Sequence, residues 1–219
     1  MLDLLIKKGI YPDYNAGLMK ESNIGIKDGK IAYLGLEEPS AAEVIDAKDR
    51  VVSPGFIDIH MHEENFKDEG KKYVISQLML KQGVTTCVGG NCGVMYQTLK
   101  EFKSVIDELG GAPVNYIMLS GYNDYRTPLG LGHYDSATKE QWDIIREKVK
   151  ADLEEGAFGI SFGIEYDPGI TFDEIIYATE VSDDENLRER VCQDDFCKFS
   201  KFKYLSAEKS PNISCLHIS

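Results

Sequence analysis

The spacing of apolar residues separates the first fifty residues from the rest of the chain. Leu2, Leu4 and Ile6 occupy alternate positions at the N-terminus, as they would along a β-strand. Further on, Asp28-Gly29 separates two short apolar runs, and Asp-Gly is a strong signal for a two-residue hairpin turn. We therefore expect residues 1–53 to form a small β-sandwich portion.

From residue 54 onward, two kinds of apolar segment alternate. Short β-rich runs predict strands at 56–60, 84–88, 114–119 and 157–162. Helical spacing follows each run, over residues 65–82, 97–109, 138–155 and 171–181. Thr138 with Gln141, and Thr171 with Glu174, are predicted to cap the starts of the last two helices. Strands that alternate with helices predict parallel strands joined by right-handed crossovers. Four such units make half of a (β/α)8 barrel, because a whole barrel takes about 250 residues.

The predicted fold class is therefore α/β, with a partial TIM-like barrel over residues 54–182 after the small N-terminal β unit. Residues 183–219 show neither the apolar spacing of a strand nor that of a helix, and they contain three of the five cysteines. We expect this segment to be an unrelated or frame-shifted tail. The alternative is a zinc site made by Cys192, Cys197, Cys215 and His217, whose spacings are not those of common structural zinc sites.

Charge and composition narrow the classes of partner. The formal net charge of -13 argues against nucleic acids and anionic membranes as partners. No apolar run approaches the roughly 20 residues that span a bilayer, and the N-terminus lacks the features of a signal peptide. We expect a cytoplasmic protein. An odd number of cysteines then favours free thiols or metal ligands over a disulfide framework.

The sharpest chemical motif is Pro54-Gly-Phe-Ile-Asp-Ile-His-Met-His62. Alternate residues of a strand point to the same face, so His60 and His62 are expected to point together, with Asp58 below them. Two such imidazoles can bind one metal ion, and the carboxyl end of a barrel strand is the active-site end. The alternative is a pair of surface histidines at a strand end.

A second motif, Gly89-Gly-Asn-Cys-Gly93, follows the next predicted strand. A right-handed crossover brings it beside the first strand, where Cys92 is in a position to bind the same metal. The alternative is a turn whose cysteine is merely small and buried. Cys87 lies inside the predicted strand, and we expect it in the core.

These motifs resemble the N-acyl-D-amino-acid deacylases, or D-aminoacylases, of the amidohydrolase superfamily. The resemblance rests on 43–47, 51–62, 83–93 and 156–169 and spans about residues 2–181. It implies a metal-dependent-hydrolase barrel, of which this chain holds the N-terminal portion. Hydantoinases and dihydroorotases use a modified lysine on the fourth strand, and residues 157–162 contain none.

The resemblance also implies roles for particular residues. His60 and His62 match the first pair of metal ligands, and Cys92 matches an unusual cysteine ligand. Tyr166 matches a tyrosine near the substrate, although a tyrosine packed against the barrel-top loops is the alternative. The implied cofactor is Zn²⁺, bound weakly here, and the implied substrate is a small N-acyl amino acid. The implied chemistry is hydrolysis of non-peptide carbon–nitrogen bonds, with N-acyl-D-amino acids as substrates.

The chain departs from the family in its second half. Family members draw further histidines and a general-base aspartate from later strands, whereas His133 and His217 are the only other histidines here. No catalytic residue is therefore assigned, and a truncated or frame-shifted reading of a longer gene is expected. The competing hypotheses are a catalytically inactive fragment and a half-barrel that self-associates through its exposed edge.

Overall fold

The computed structural model describes residues 1–183. Two compact units are present, one formed by Met1–Gly55 and one that begins at Phe56. The predicted tail, and with it the alternative zinc site of Cys192, Cys197, Cys215 and His217, lies outside the described residues. The boundaries 1–53, 54–182 and 183–219 stay predictions.

The first unit is a four-stranded mixed sheet. Its strands are β1 (Leu2–Asp13), β2 (Leu18–Lys27), β3 (Lys30–Gly35) and β4 (Ala41–Asp46). The order across the sheet is β3-β2-β1-β4, with β1 antiparallel to β2 and parallel to β4. Asp28 and Gly29 connect β2 to β3 with φ of 50° and 71°, as a hairpin turn with two left-handed residues requires. The predicted hairpin is confirmed.

The second unit is built on a four-stranded parallel sheet in the order β5-β6-β7-β8. Its strands are β5 (Phe56–Asp58), β6 (Val84–Gly89), β7 (Asn115–Gly121) and β8 (Gly159–Ser161). The helices are α1 (Phe66–Glu69), α2 (Ile75–Lys81), α3 (Leu99–Glu108), α4 (Lys139–Glu155) and α5 (Phe172–Thr179). The chain therefore follows the predicted alternation of strand and helix.

Helix ends are set by local hydrogen bonds. Thr138 begins α4 with a complete capping box to Gln141, as predicted, and Thr98 begins α3 in the same way with Glu101. Thr171 caps α5 by accepting the N–H of Glu174, as predicted. These caps supply partners for N–H groups that the first turn of a helix leaves free.

The main core of the second unit lies where the helices pack on the sheet. Phe102 from α3, Ile145 and Val149 from α4 and Ile175 from α5 are all buried in one cluster. Cys87 is fully buried in β6 with Met61 and Val114, which confirms its interpretation as a core residue. Burial raises the pKa of the Cys87 thiol to about 11.

One predicted helix and two predicted strands differ from the structure. The helix predicted over 65–82 is wrong in its middle, because α1 ends at Gly70, whose φ is 85°, and α2 begins only at Ile75. The strands predicted over 56–60 and 157–162 are shorter, at Phe56–Asp58 and Gly159–Ser161. Both strands are shorter than predicted because the backbone at their ends leaves the ladder of hydrogen bonds to form loops.

Within residues 1–183, no helix has both the length and the apolar character needed to cross a bilayer.

Candidate metal centre

The two histidines follow β5 and do not lie on it. The strand ends at Asp58, whose Oδ1 accepts the backbone N–H of His60 at 3.0 Å. His60 is exposed, whereas His62 is partly buried. One further backbone hydrogen bond, from Met61 N to Val88 O at 3.2 Å, keeps this segment beside β6. The histidines are therefore presented by a loop at the carboxyl end of the sheet.

Cys92 lies in the turn after β6 and faces His60. The distance from His60 Nε2 to Cys92 Sγ is 3.3 Å. In a tetrahedral zinc site with ligand bonds of about 2.0–2.3 Å, neighbouring nitrogen and sulfur ligands are roughly 3.5 Å apart. The observed separation is close to that value, so the two atoms fit ligands of one metal ion.

The backbone of Cys92 is held in an uncommon conformation. Its φ is 59°, in the left-handed region that residues other than glycine rarely adopt. The backbone of Gly163 approaches it closely, because a Cβ added at Gly163 would lie 2.0 Å from Cys92 O. A Cβ at Gly93 would lie 1.8 Å from Asn123 Oδ1. Such backbone strain is concentrated at functional sites.

His62 supplies a nitrogen without a partner. Its Nδ1 is buried and accepts or donates no hydrogen bond, and its ring centroid is 6.4 Å from that of Tyr96. A buried nitrogen without a partner is costly, and a metal ion would satisfy it. Among the described residues, however, no group of three or more His, Cys, Asp or Glu side chains is close enough to hold a metal ion.

Tyr166 lies in the turn after β8 and reaches the same sulfur. The nearby Cys92 side chain, through its electrostatic effect and a hydrogen bond, raises the pKa of Tyr166. The tyrosine ring is largely exposed, so its hydroxyl is accessible from solvent. Three loops, after β5, β6 and β8, thus bring His60, Cys92 and Tyr166 together.

Two carboxylates next to the histidines escaped the sequence analysis. Glu63 is fully buried, and its oxygens accept the N–H groups of Gly90 at 2.9 Å and Tyr96 at 3.1 Å. Burial raises the pKa of Glu63. Glu64, also buried, accepts N–H groups of Val74 and Ser76. In the sequence, the signal that could have identified them was their position directly after His62. In the structure, each carboxylate holds a loop by accepting its backbone N–H groups.

Charged and polar side chains join the loop after β7 to the loop after β8 and to α5. Arg126 Nη1 is 2.6 Å from Glu174 Oε1, and both side chains are almost fully buried. Asp167 Oδ1 lies 2.7 Å from Nδ1 of His133, and Asp167 Oδ2 accepts Asn123 Nδ2 at 2.8 Å. Partners 34 to 48 positions apart leave no periodic signal, so sequence reasoning placed His133 only in a loop.

Several known proteins are similar to this chain in sequence. A sequence model described as the amidohydrolase family matches residues 43–162, which is more than half of the chain. The D-aminoacylase of Alcaligenes xylosoxydans xylosoxydans is 29% identical over 199 residues, covering 80% of this chain and 40% of the relative. The N-acyl-D-glutamate deacylase of the same organism is 31% identical over 194 residues, covering 77% of this chain and 38% of the relative.

Solved structures agree with the sequence relatives. The N-acyl-D-glutamate deacylase from Bordetella bronchiseptica, complexed with zinc and a phosphonate inhibitor, superposes with a TM-score of 0.69 at 26% identity. The superposition covers 83% of this chain and 43% of that one. The predicted α/β class, with half of a TIM-like barrel after a small β unit, is therefore confirmed. The chain spans about two-fifths of the length of the relatives it matches.

Proposed function

The chain belongs to the amidohydrolase family, and we propose that it serves a zinc-dependent hydrolysis of the amide bond of N-acyl-D-amino acids. The observation that carries the proposal is the pair formed by His60 Nε2 and Cys92 Sγ at 3.3 Å, with Tyr166 at the same sulfur. The deacylases among the sequence relatives and solved structures support the substrate class.

We assign the metal to three side chains. His60 and Cys92 would bind it through the atoms that already face each other. His62, whose buried Nδ1 has no partner, would have to move closer to supply a third ligand, because no three such side chains among the described residues yet form a group. A zinc ion in such a site lowers the pKa of water to about 7 and polarises a carbonyl oxygen. The site at the carboxyl end of the parallel sheet is where barrel enzymes hold their chemistry.

The remaining residues orient the substrate and the ligands. We assign to Tyr166, whose side chain is largely exposed, a hydrogen bond to the oxygen of the amide carbonyl as negative charge develops there. Glu63 and Glu64 already accept backbone N–H groups, so we assign neither of them the role of proton acceptor.

A hydrolysis assay tests the proposal. The full chain should release the amino acid from N-acetyl-D-amino acids faster than from the L-enantiomers. Chelation should abolish turnover, and added zinc should restore it. Release that is equal for both enantiomers would contradict the substrate class, and turnover that survives complete removal of the metal would contradict the mechanism.

The pair of ligands also favours a second candidate function, which is metal binding without hydrolysis. Two facing ligands are sufficient for weak binding, whereas catalytic zinc sites use three protein ligands. A chain that binds zinc through Cys92 and yet shows no turnover on any N-acyl amino acid would support this candidate over the hydrolase.

A further inference from the structure

Asn91 precedes Cys92 and is nine-tenths buried. Its amide nitrogen Nδ2 donates to three backbone carbonyl oxygens: Val88 at 2.7 Å, Met61 at 3.3 Å and Ile59 at 3.5 Å. Because all three partners are acceptors, the orientation of this amide is fixed by its surroundings. The side chain thus connects the turn after β6 to the loop after β5.

The carbonyls of Ile59 and Met61 lie on either side of His60. Asn91 therefore holds the backbone on both sides of one imidazole, while its own backbone continues directly into Cys92. We propose that Asn91 is a positioning residue that fixes His60 Nε2 at Cys92 Sγ. This inference rests on the proposed function, because it assigns both atoms to one metal ion.

The local backbone explains why such a residue is needed. The strand β5 ends at Asp58, before the two histidines. Among the described residues, a single backbone hydrogen bond, from Met61 N to Val88 O, joins the segment that carries both histidines to β6. His60 is exposed, so burial does not fix its ring. Asn91 replaces the missing ladder bonds. Partners that orient metal ligands in this way typically change metal affinity about 10–100-fold when they are altered.

The chemistry of the site dictates the test variant. Asn91→Asp preserves the shape of the side chain but replaces the donor by an acceptor that faces three carbonyl oxygens, so the contact becomes repulsive. Asn91→Ala removes the donor without adding this repulsion. The matched control is Asn23→Asp, since Asn23 is also buried and donates to two carbonyls, those of Leu36 and Glu37, within the N-terminal sheet.

Titration with Co²⁺ measures the effect on the ligands directly. The full wild-type chain should show the absorption band of thiolate-to-cobalt charge transfer, and Cys92→Ala should lose it. Asn91→Asp should bind Co²⁺ about 10–100-fold more weakly and with a diminished band, and Asn91→Ala should show a smaller loss. Asn23→Asp should keep the wild-type affinity and band. Equal affinity and band in wild type and both Asn91 variants would overturn the positioning role.

A measurement on the metal-free chain separates this inference from the proposed function. Wild type should show an NMR cross-peak between the His60 ring and the Cys92 side chain, and Asn91→Asp and Asn91→Ala should lose it while circular dichroism remains that of a folded chain. If wild type shows the cross-peak but no cobalt–thiolate band, the proposed metal site fails and the positioning role stands. A cross-peak that persists in both variants overturns the positioning role.

Discussion

Cys92 is both a proposed metal ligand and a residue with an uncommon backbone conformation. Its φ of 59° is left-handed, and the backbone of Gly163 lies close to the Cys92 carbonyl. The second thiol in the described part of the chain, that of Cys87, is buried in the core, where its raised pKa keeps it protonated. Cys87 is thus a core residue, whereas the more exposed Cys92 is the one proposed to bind metal.

The close approach at Gly163 predicts a local effect of one methyl group. Gly163→Ala would place a Cβ 2.0 Å from Cys92 O, and we expect it to lower the free energy of unfolding by about 1–3 kcal/mol and to weaken metal binding. Gly159→Ala is the control, because its Cβ would make only an ordinary contact, 3.5 Å from Leu119 Cδ2. Urea denaturation of both variants decides, and equal losses would contradict this packing.

The buried pair of Arg126 and Glu174 predicts a larger loss. Glu174→Gln leaves the guanidinium without its main counter-charge, and we expect a loss of about 3–5 kcal/mol in the free energy of unfolding. Glu108→Gln breaks the exposed pair with Lys71 and should cost no more than about 1 kcal/mol. Chemical denaturation measures both, and a cost for Glu174→Gln as small as that for Glu108→Gln would be inconsistent with a buried ion pair.

At the scale of the elements, apolar spacing, capping residues and turn residues predicted helix starts and a hairpin, which are determined by local sequence. The helices α4 and α5 begin where Thr138 and Thr171 predicted them, and the Asp28-Gly29 hairpin is confirmed. The break between α1 and α2 was missed, although residues 67–72 contain no apolar side chain and include Gly70, whose positive φ ends α1.

The capping box of α4 predicts a moderate and specific effect. Thr138→Ala removes the oxygen that accepts the N–H of Gln141 and should destabilise the second unit by about 1 kcal/mol. Thr138→Ser retains the hydroxyl and should lose much less. The midpoint of urea unfolding measures the difference, and identical midpoints for the alanine and serine variants would exclude a capping role.

Short sequence motifs predicted only part of the candidate site. His60, His62 and Cys92 came from short motifs, and their assignment as metal ligands stays a prediction, supported by the 3.3 Å separation of His60 and Cys92. The contact of Tyr166 with Cys92 joins residues 74 positions apart and depends on the loops after β6 and β8. The roles of Glu63 and Asn91 depend on which backbone groups surround them, and no spacing rule contains that information.

On the scale of the whole molecule, a small mixed sheet precedes half of a parallel barrel. The outer strands of the parallel sheet are β5 and β8 among the described residues, and self-association through such an edge stays a prediction.

The free energy of unfolding of the second unit should depend on pH, because Asp152 of α4 is buried and accepts hydrogen bonds from Ser120 and Tyr125.

This burial predicts the sign of one pH dependence. Burial raises the folded-state pKa of Asp152 above its ordinary value of 3.8, so its contribution to stability is complete below that pH. The contribution is lost as the pH rises through the raised value. Because asparagine does not titrate, the stability of wild type relative to Asp152→Asn should fall with rising pH over this range.

An exposed aspartate provides the opposite control. A hydrogen bond from Tyr177 lowers the pKa of Asp143, so the stability of wild type relative to Asp143→Asn should fall as the pH is lowered through this range. Urea denaturation at a series of pH values measures both differences. The same slope for the two variants would contradict the assigned environment of Asp152.

The central claim is that Cys92 and the histidines after β5 bind one metal ion. Zinc per chain, measured on freshly purified and size-fractionated protein, tests it most directly, with Cys92→Ala and the double variant His60→Ala, His62→Ala beside wild type. We predict close to one zinc per wild-type chain, loss of zinc in both variants, and retention in Cys87→Ala. A folded wild-type chain without zinc, or equal zinc in wild type and Cys92→Ala, would contradict the account.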